Sequence, residues 1–439
     1  MKYFGTDGIR QPADKFTPEF LTLVAKGFTD YAGDTAKVLI AGDTRESTEW
    51  ILADLESAFE TFGIDYGNAG VLPTPAINYC FPEMNFDYAI DVTASHNPYT
   101  DNGIKIFERG ADGTGIKLSE KGREAIEQAI ESGQTYSLVS PTIREDLHDE
   151  AVRIYQNHLI DYLGSANFAG LNIGMDCANG ATSVLNKTIF EQLGANVTLI
   201  NVNDTYNTSI NKDCGSTHLE QLQHLVTTNS LDFGVAFDGD GDRVLMVDHA
   251  GNIIDGDQII AILTEFLRLD SIAVSVMANQ GLLNWASSAG IKVEITPVGD
   301  SNVAAAMREH GIAIGGEQSG HIILPNEATG DGMLTALVVA KAVADTGKSL
   351  QDLASIMTKS PQVNLTLAAT PAQKSSLATS DVAKSTISQF EQKVKSVNGR
   401  LLVRPSGTEP IIRITMWGDD EKTITDLAEE LKTKLGEIL

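Results

Sequence analysis

Lys37-Val38-Leu39-Ile40-Ala41, followed by Gly42-Asp43-Thr44-Arg45, is the stretch from which the architecture can be read. A short apolar run ending in a glycine-led polar loop reads as a buried strand that delivers a loop to a sheet edge. Beyond it, Ile51, Leu52, Leu55 and Phe59 recur at helical spacing, and the pattern stops at Phe62-Gly63. Glycine there suits the left-handed residue that ends a helix. A second strand and loop follow from Tyr66 to Pro75. The same grammar returns at Leu171–Met175, with the loop Asp176-Cys177-Ala178-Asn179-Gly180, a helix stopping at Leu193-Gly194 and a strand from Asn196 to Ile200. It returns again at Ser271–Val276, with the loop Ala278-Asn279-Gln280-Gly281, a helix stopping at Ala289-Gly290 and a strand from Lys292 to Thr296. Three such units, roughly a hundred residues apart, predict three tandem mixed α/β domains of similar topology. One large mixed sheet would satisfy the same periodicity.

The last part of the chain differs. Leu401-Leu402-Val403 and Ile411–Met416 read as strands around a tight loop, and a closing helix carries Ile424, Leu427, Ala428, Leu431 and Leu435 on one face. This is a smaller α+β unit. Polar connectors at Ser132 to Asp149, Gly251 to Gly256 and Pro361 to Ser380 mark the boundaries. The expected division is 1–150, 151–252, 253–365 and 366–439.

With 439 residues, 42% hydrophobic and 21% charged, the chain has the composition of a globular protein with several cores. A formal net charge of −27 excludes a broad nucleic-acid or anionic-membrane surface. An anionic substrate would need a local cluster of cations. Cys80, Cys177 and Cys214 are far apart in sequence and form neither a disulfide framework nor a zinc motif. Met1-Lys2-Tyr3-Phe4-Gly5 lacks the pattern of a signal peptide, and no apolar run approaches a membrane span, so a cytoplasmic location is expected.

Five loops concentrate chemistry. Phe4-Gly5-Thr6-Asp7-Gly8-Ile9-Arg10 lends Arg10 to the first domain. Thr93-Ala94-Ser95-His96-Asn97-Pro98, with Lys105 shortly after, offers a serine nucleophile beside groups that could activate it. A solvated Ser-Asn-Pro turn is the alternative. Asp238-Gly239-Asp240-Gly241-Asp242-Arg243 sits between apolar runs, so three carboxylates converge and repel unless a divalent cation joins them. An EF-hand does not fit, because its sixth position is Arg243 and its twelfth is His249. Oxygen-only ligands favour Mg²⁺ or Mn²⁺. Gly315-Gly316-Glu317-Gln318-Ser319-Gly320-His321 suits recognition of adjacent sugar hydroxyls, or is a glycine-rich hairpin without a ligand. Arg404-Pro405-Ser406-Gly407-Thr408-Glu409-Pro410, with Arg413, reads as a phosphate nest, although it is not a P-loop. Together these loops describe phosphoryl transfer, which depends mainly on positioning and charge neutralisation.

Six motifs carry a resemblance to the α-D-phosphohexomutase family. They are Phe4–Arg10, Thr93–Pro98, Asp238–Arg243, Gly316–His321, Thr329-Gly330-Asp331-Gly332 and Arg404–Pro410, in family order across nearly the whole chain. The match is to the bacterial branch acting on glucosamine phosphates. The resemblance implies three α/β domains and a C-terminal domain similar to the TATA-binding-protein fold, around one central cleft. It implies that Ser95 carries the transferred phosphate and joins Asp238, Asp240 and Asp242 on one Mg²⁺ per chain. Arg10, His96, Lys105 and Arg243 would surround the transfer, with Lys105 or His96 moving the proton. Glu317 and Ser319 would contact sugar hydroxyls, and Arg404, Ser406, Gly407, Thr408 and Arg413 would hold the non-reacting phosphate.

The implied reaction interconverts glucosamine 6-phosphate and glucosamine 1-phosphate through a bisphosphate and supplies amino-sugar nucleotide and cell-wall precursors. Glucose- or glucosamine-1,6-bisphosphate would act as activator, or a kinase would load Ser95. The chain would be a monomer or homodimer. The alternatives are phosphomannomutase/phosphoglucomutase activity, a simple phosphatase, and a non-catalytic sugar-phosphate-binding protein.

Overall fold

The computed structural model describes residues 2–5, 7–138, 146–185, 188–406 and 410–439. Gly407 and Thr408, expected in the phosphate nest, lie outside the described residues, as does part of the connector from Ser132 to Asp149. The chain forms two compact units, Met1–Met277 with Lys292–Ser355, and Ala278–Ile291 with Ile356–Leu439.

In the first unit, strands Phe4–Gly5, Gly8–Pro12, Asp101–Arg109, Tyr88–Val92, Lys37–Gly42 and Asp65–Val71 lie side by side in that order, with Gly115–Lys117 paired to Asp101–Arg109. Lys37–Gly42 runs parallel to Asp65–Val71 and Tyr88–Val92, and Gly42 is level with Val92. That register matters for function. It brings the loop after Gly42 against the loop after Val92, and Asp43 N donates to Val92 O at 3.1 Å. The helix Glu46–Phe62 buries Ile51, Leu52, Leu55 and Phe59 as its spacing predicts, and Gly63 ends it at φ 74°.

A second sheet has the order Ile253–Ile254, Val244–Asp248, Phe233–Phe237, Asn172–Asp176, Asn196–Ile200. Every residue of Phe233–Phe237 is buried, and its antiparallel pairing with Val244–Asp248 closes at Phe237 opposite Val244. The acidic loop is therefore the tip of a hairpin with a rigid apolar base. A third sheet has the order Lys292–Thr296, Ser271–Ser275, Gly315–Gly316, Ile322–Ile323, and its last two strands form the hairpin that carries Glu317 and Ser319. Among the described residues no helix is long and apolar enough to cross a membrane.

The second unit is an antiparallel sheet, Gln362–Ala368, Ile411–Trp417 and Arg400–Pro405. Phe390 and Val394 from the helix Asp381–Lys395, and Ile424, Ala428, Leu431 and Leu435 from the helix Glu421–Ile438, build its core; Leu427 is only partly buried. Two details differ from the sequence reading. The helix Gln280–Ala289, which follows the third repeat's first strand, belongs to this unit, where Asn279 both donates to Ser360 O and accepts from Ser360 N. The stretch Pro361 to Ser380, read as a connector, holds a strand and the helix Pro371–Thr379. Its Ala, Thr and Ser content hid the alternation of Val363, Leu365 and Leu367, and the capping box of Thr370 with Gln373.

Candidate active site and metal-binding loop

Ser95 leaves its strand in a left-handed conformation, φ 53°, and its side chain is fully buried. For a non-glycine residue that backbone costs about 1 to 3 kcal/mol and persists only where the surroundings over-determine it. They do so here. Thr93 Oγ1 accepts from Ser95 N at 2.9 Å and donates to Asp43 Oδ2 at 2.7 Å. Arg45, with no exposed surface, donates from Nε to Asp43 Oδ2 and from its two terminal nitrogens to Pro98 O and Ser95 O, both at 2.7 Å. Asn211 Nδ2 adds a second donor to Ser95 O at 2.8 Å and reaches Asn97 O at 3.1 Å. Burial raises the Asp43 carboxyl, and Arg45 and Thr93 offset that only in part.

The acidic loop docks on the serine. Ser95 Oγ donates to Asp238 Oδ2 at 2.7 Å. Gly239 is glycine because a Cβ there would sit 2.7 Å from Ser95 O, and Gly241 because its φ is 72°. Asp238, Asp240 and Asp242 are all buried, with ligand atoms within 4.8 Å of one another. Burial raises Asp238 well above the ordinary carboxylate range, and repulsion from Asp240 and Asp242 adds to it. Asp240 Oδ1 and Asp242 Oδ1 are buried without a hydrogen-bond partner among the described residues. Clustered hard oxygens that repel one another and carry unused acceptors fit a divalent cation. This is a candidate metal site.

Cations crowd the same loop. Lys105, on the strand beside Ser95, donates to Asp240 Oδ2 at 2.8 Å and to Asp242 Oδ2 at 2.9 Å, and lies 3.4 Å from Asp7. Burial would depress its ammonium, but Asp240, Asp242 and Asp7 outweigh burial and hold it well above the usual lysine range. Arg10 donates to Asp7 Oδ2 at 2.6 Å. Arg243 donates to His96 Nδ1 at 2.9 Å, and its Nε lies 3.7 Å from Asp242. Burial, then Arg243 and Arg10, push His96 down to about 4.

A histidine depressed in this way contributes stability that is present above its unfolded value and is lost as pH falls through about 4. In unphosphorylated protein the imidazole NMR signals of His96 should therefore stay flat from roughly pH 8 to 5. A midpoint within that window would count against the burial of His96 beside Arg243.

Ser95, His96, Lys105, Arg10, Arg243 and the three aspartates are thus brought into one network. The hairpin of Glu317 and Ser319 joins it through main chain, since Val244 N donates to Gly320 O at 3.1 Å and Arg243 bridges to His321. Glu317 Oε1 accepts from Gly299 N at 3.1 Å, and Ser319 is exposed. In the second unit Arg404 and Arg413 stand directly opposite each other on paired strands, and Ser406 is buried beside them in sequence.

Several participants carried no role in the sequence reading. Asp43 and Arg45 stand in a glycine-led loop at a strand end, and that position is their one local signal. Thr74 donates to Asp240 Oδ2 at 2.8 Å, and Asn211 reaches Ser95; neither has a local sequence signal. Lys117 bonds both Asp7 and Asp300, and with Lys105, Ser301 and His321 these line a cavity of about 260 Å³. Burial pushes the thiols of Cys80, Cys177 and Cys214 up to about 12, which removes them as nucleophiles at neutral pH.

Fold and site define an α/β protein built for moving phosphoryl groups. The phosphoglucomutase/phosphomannomutase family models match in series: alpha/beta/alpha domain I at residues 1–137, domain II at 153–251, domain III at 255–360 and the C-terminal domain at 363–434. A phosphoglucosamine mutase from Caldicellulosiruptor bescii is 42% identical over 448 residues, covering 98% of each chain. Parafusin, a phosphoglucomutase from Paramecium, shares the fold with a TM-score of 0.76 at 17% identity, covering 99% of this chain and 95% of its own. An Aspergillus fumigatus N-acetylphosphoglucosamine mutase, solved with GlcNAc-6P and magnesium, aligns at TM-score 0.62 and 16% identity over 99% and 95%. The chain belongs to the phosphoglucomutase/phosphomannomutase family and is an isomerase, an intramolecular phosphotransferase.

Proposed function

We propose that this enzyme interconverts glucosamine 6-phosphate and glucosamine 1-phosphate through phospho-Ser95 and glucosamine 1,6-bisphosphate. The observation that carries the reading is the 2.7 Å bond from Ser95 Oγ to Asp238, within the three-carboxylate loop. The phosphoglucosamine mutase relative, alike over nearly its whole length, supports the sugar. In the forward direction the bond from phosphorus to Ser95 Oγ breaks, and phosphorus bonds the C1 oxygen of glucosamine 6-phosphate. The bisphosphate reorients, and its C6 phosphoryl group returns to Ser95 Oγ, freeing the C6 hydroxyl.

Asp238, Asp240, Asp242 and Ser95 would hold one Mg²⁺, which when bound supplies charge neutralisation at the phosphoryl oxygens. Lys105 is a full ammonium in this arrangement, and Arg243 and Arg10 add fixed positive charge; all three oppose the negative charge that develops on transfer. Neutral His96 is held by Arg243 against Ser95 Oγ, 3.3 Å away. A loose transition state asks little of a base, so the C1 hydroxyl proton can leave late, onto an oxygen of the transferred phosphoryl group, and the C6 oxygen takes a proton back when its phosphoryl group returns to Ser95. Glu317 and Ser319 would read sugar hydroxyls, while Arg404, Ser406, Gly407, Thr408 and Arg413 would grip the other phosphate.

The proposal includes a bisphosphate activator or a kinase to load Ser95, a cytoplasmic location, supply of amino-sugar precursors, and a monomer or homodimer. Turnover of glucosamine, mannose and glucose 6-phosphates by purified, phosphorylated enzyme tests it. Glucosamine 6-phosphate should turn over fastest, with almost no inorganic phosphate released. Faster mannose turnover would overturn the sugar, and stoichiometric phosphate release would overturn the mutase.

A further inference from the structure

One sequence motif has no part in the chemistry above, Thr329-Gly330-Asp331-Gly332, and the structure sets it against the acidic loop. Gly332 N donates to Gly241 O at 3.0 Å, and Asp331 N donates to Ile322 O at 3.2 Å. On the other side Val244 N donates to Gly320 O, and Arg243 pairs with His321. The main chain from Gly241 to Val244 is therefore gripped from both flanks. The fit is close. A Cβ on Gly332 would lie 2.5 Å from Arg243 O and 2.9 Å from Gly241 O, and a Cβ on Gly330 would lie 2.5 Å from the His321 ring. Both obstacles at Gly332 are backbone, so a side chain there cannot be accommodated by rotation.

Asp331 fixes where those glycines stand. Its Oδ1 accepts from Leu334 N at 2.8 Å and caps the buried helix Gly332–Thr346, where the helix dipole also favours a carboxylate. Its Oδ2 accepts from Tyr155 OH at 2.5 Å. Tyr155 is fully buried on the helix His148–Leu163.

We propose that Gly330-Asp331-Gly332, anchored by Tyr155, is the positioning element that sets the backbone of the metal loop and the His321 ring for cation binding and transfer. The inference rests on the metal-loop reading above. These residues reach the loop through main-chain hydrogen bonds and close packing. They act through Gly241, Arg243 and His321, as outer-shell groups orient metal ligands elsewhere.

Calorimetric titration of Mn²⁺ into the purified full-length chain gives a readout independent of turnover. Tyr155→Phe removes one hydroxyl and should weaken Mn²⁺ binding about tenfold. It should also lower kcat while leaving KM for the sugar phosphate nearly unchanged. Gly332→Ala should have the larger effect; if it fails to fold, Tyr155→Phe decides. Tyr162→Phe is the control, since Tyr162 lies on the same helix and its hydroxyl bonds Pro325 O at 3.1 Å and not Asp331. It should lower Tm without changing Mn²⁺ affinity. Unchanged Mn²⁺ affinity in Tyr155→Phe, or an equal loss in Tyr162→Phe, would overturn the positioning role. Absence of Mn²⁺ binding by the unaltered protein would instead overturn the metal-loop reading on which it rests.

Discussion

Replacing Ser95 by alanine should reduce isomerisation by about 10⁴-fold or more, because the hydroxyl is the phosphoryl carrier and nothing nearby can replace it. The protein should stay folded. What holds the loop is main chain: Ser95 N donates to Thr93 Oγ1, and Ser95 O accepts from Arg45 and Asn211. Alanine keeps both groups and suffers no more than serine from the left-handed φ of 53°. The lost hydroxyl leaves Asp238 with the Arg243 N–H at 3.2 Å, so the carboxylate keeps a donor. A coupled isomerase assay, intact mass for the bound phosphate and a thermal melt check the three parts. Retained turnover, or a phosphate elsewhere on the chain, would sink the mechanism.

The second large effect is expected at Asp240. Its Oδ2 bonds Lys105 and Thr74, and its Oδ1 has no partner among the described residues. Asp240→Asn keeps shape but removes one of three charges, so affinity for Mg²⁺ should fall about 100-fold or more, with a comparable loss of rate. Burial and repulsion from Asp240 and Asp242 raise the Asp238 carboxyl, and taking one charge away relieves part of that repulsion. Without Mg²⁺ that relief is set against the weakened buried pair of Asp240 with Lys105, whereas the increase in Tm on adding Mg²⁺ should largely vanish, since a ligand stabilises by its affinity for the folded state. An unchanged Mg²⁺ dependence would remove Asp240 from the ligand set.

How far these residues could be foreseen depends on how local their signals are. Strand Lys37–Gly42 and helix Glu46–Phe62 follow from apolar periodicity and a terminal glycine, both properties of neighbouring residues. The Asp238–Arg243 loop was legible because its ligands alternate with glycine inside one hairpin. Arg45 carries no local signal of its role, since its partners Ser95 and Pro98 lie fifty and more positions away. Asn211 and Thr74 have no pattern at all. The strand Gln362–Ala368 was hidden by a composition that resembles a linker.

The sequence by itself determined the alternation of strands and helices, the acidic loop, the serine turn and the family to which they belong, because each is written within a few consecutive residues. Only the tertiary structure decided that Lys105 is a firmly charged partner of Asp240 and Asp242, and that His96 is neutral beneath Arg243. It also decided that Ser95 is held left-handed by Arg45 and Asn211, and that Gly332 braces the metal loop. The reason is physical. Protonation state, backbone strain and close approach depend on burial and on charges brought together from distant segments, and neither quantity exists until the chain has folded.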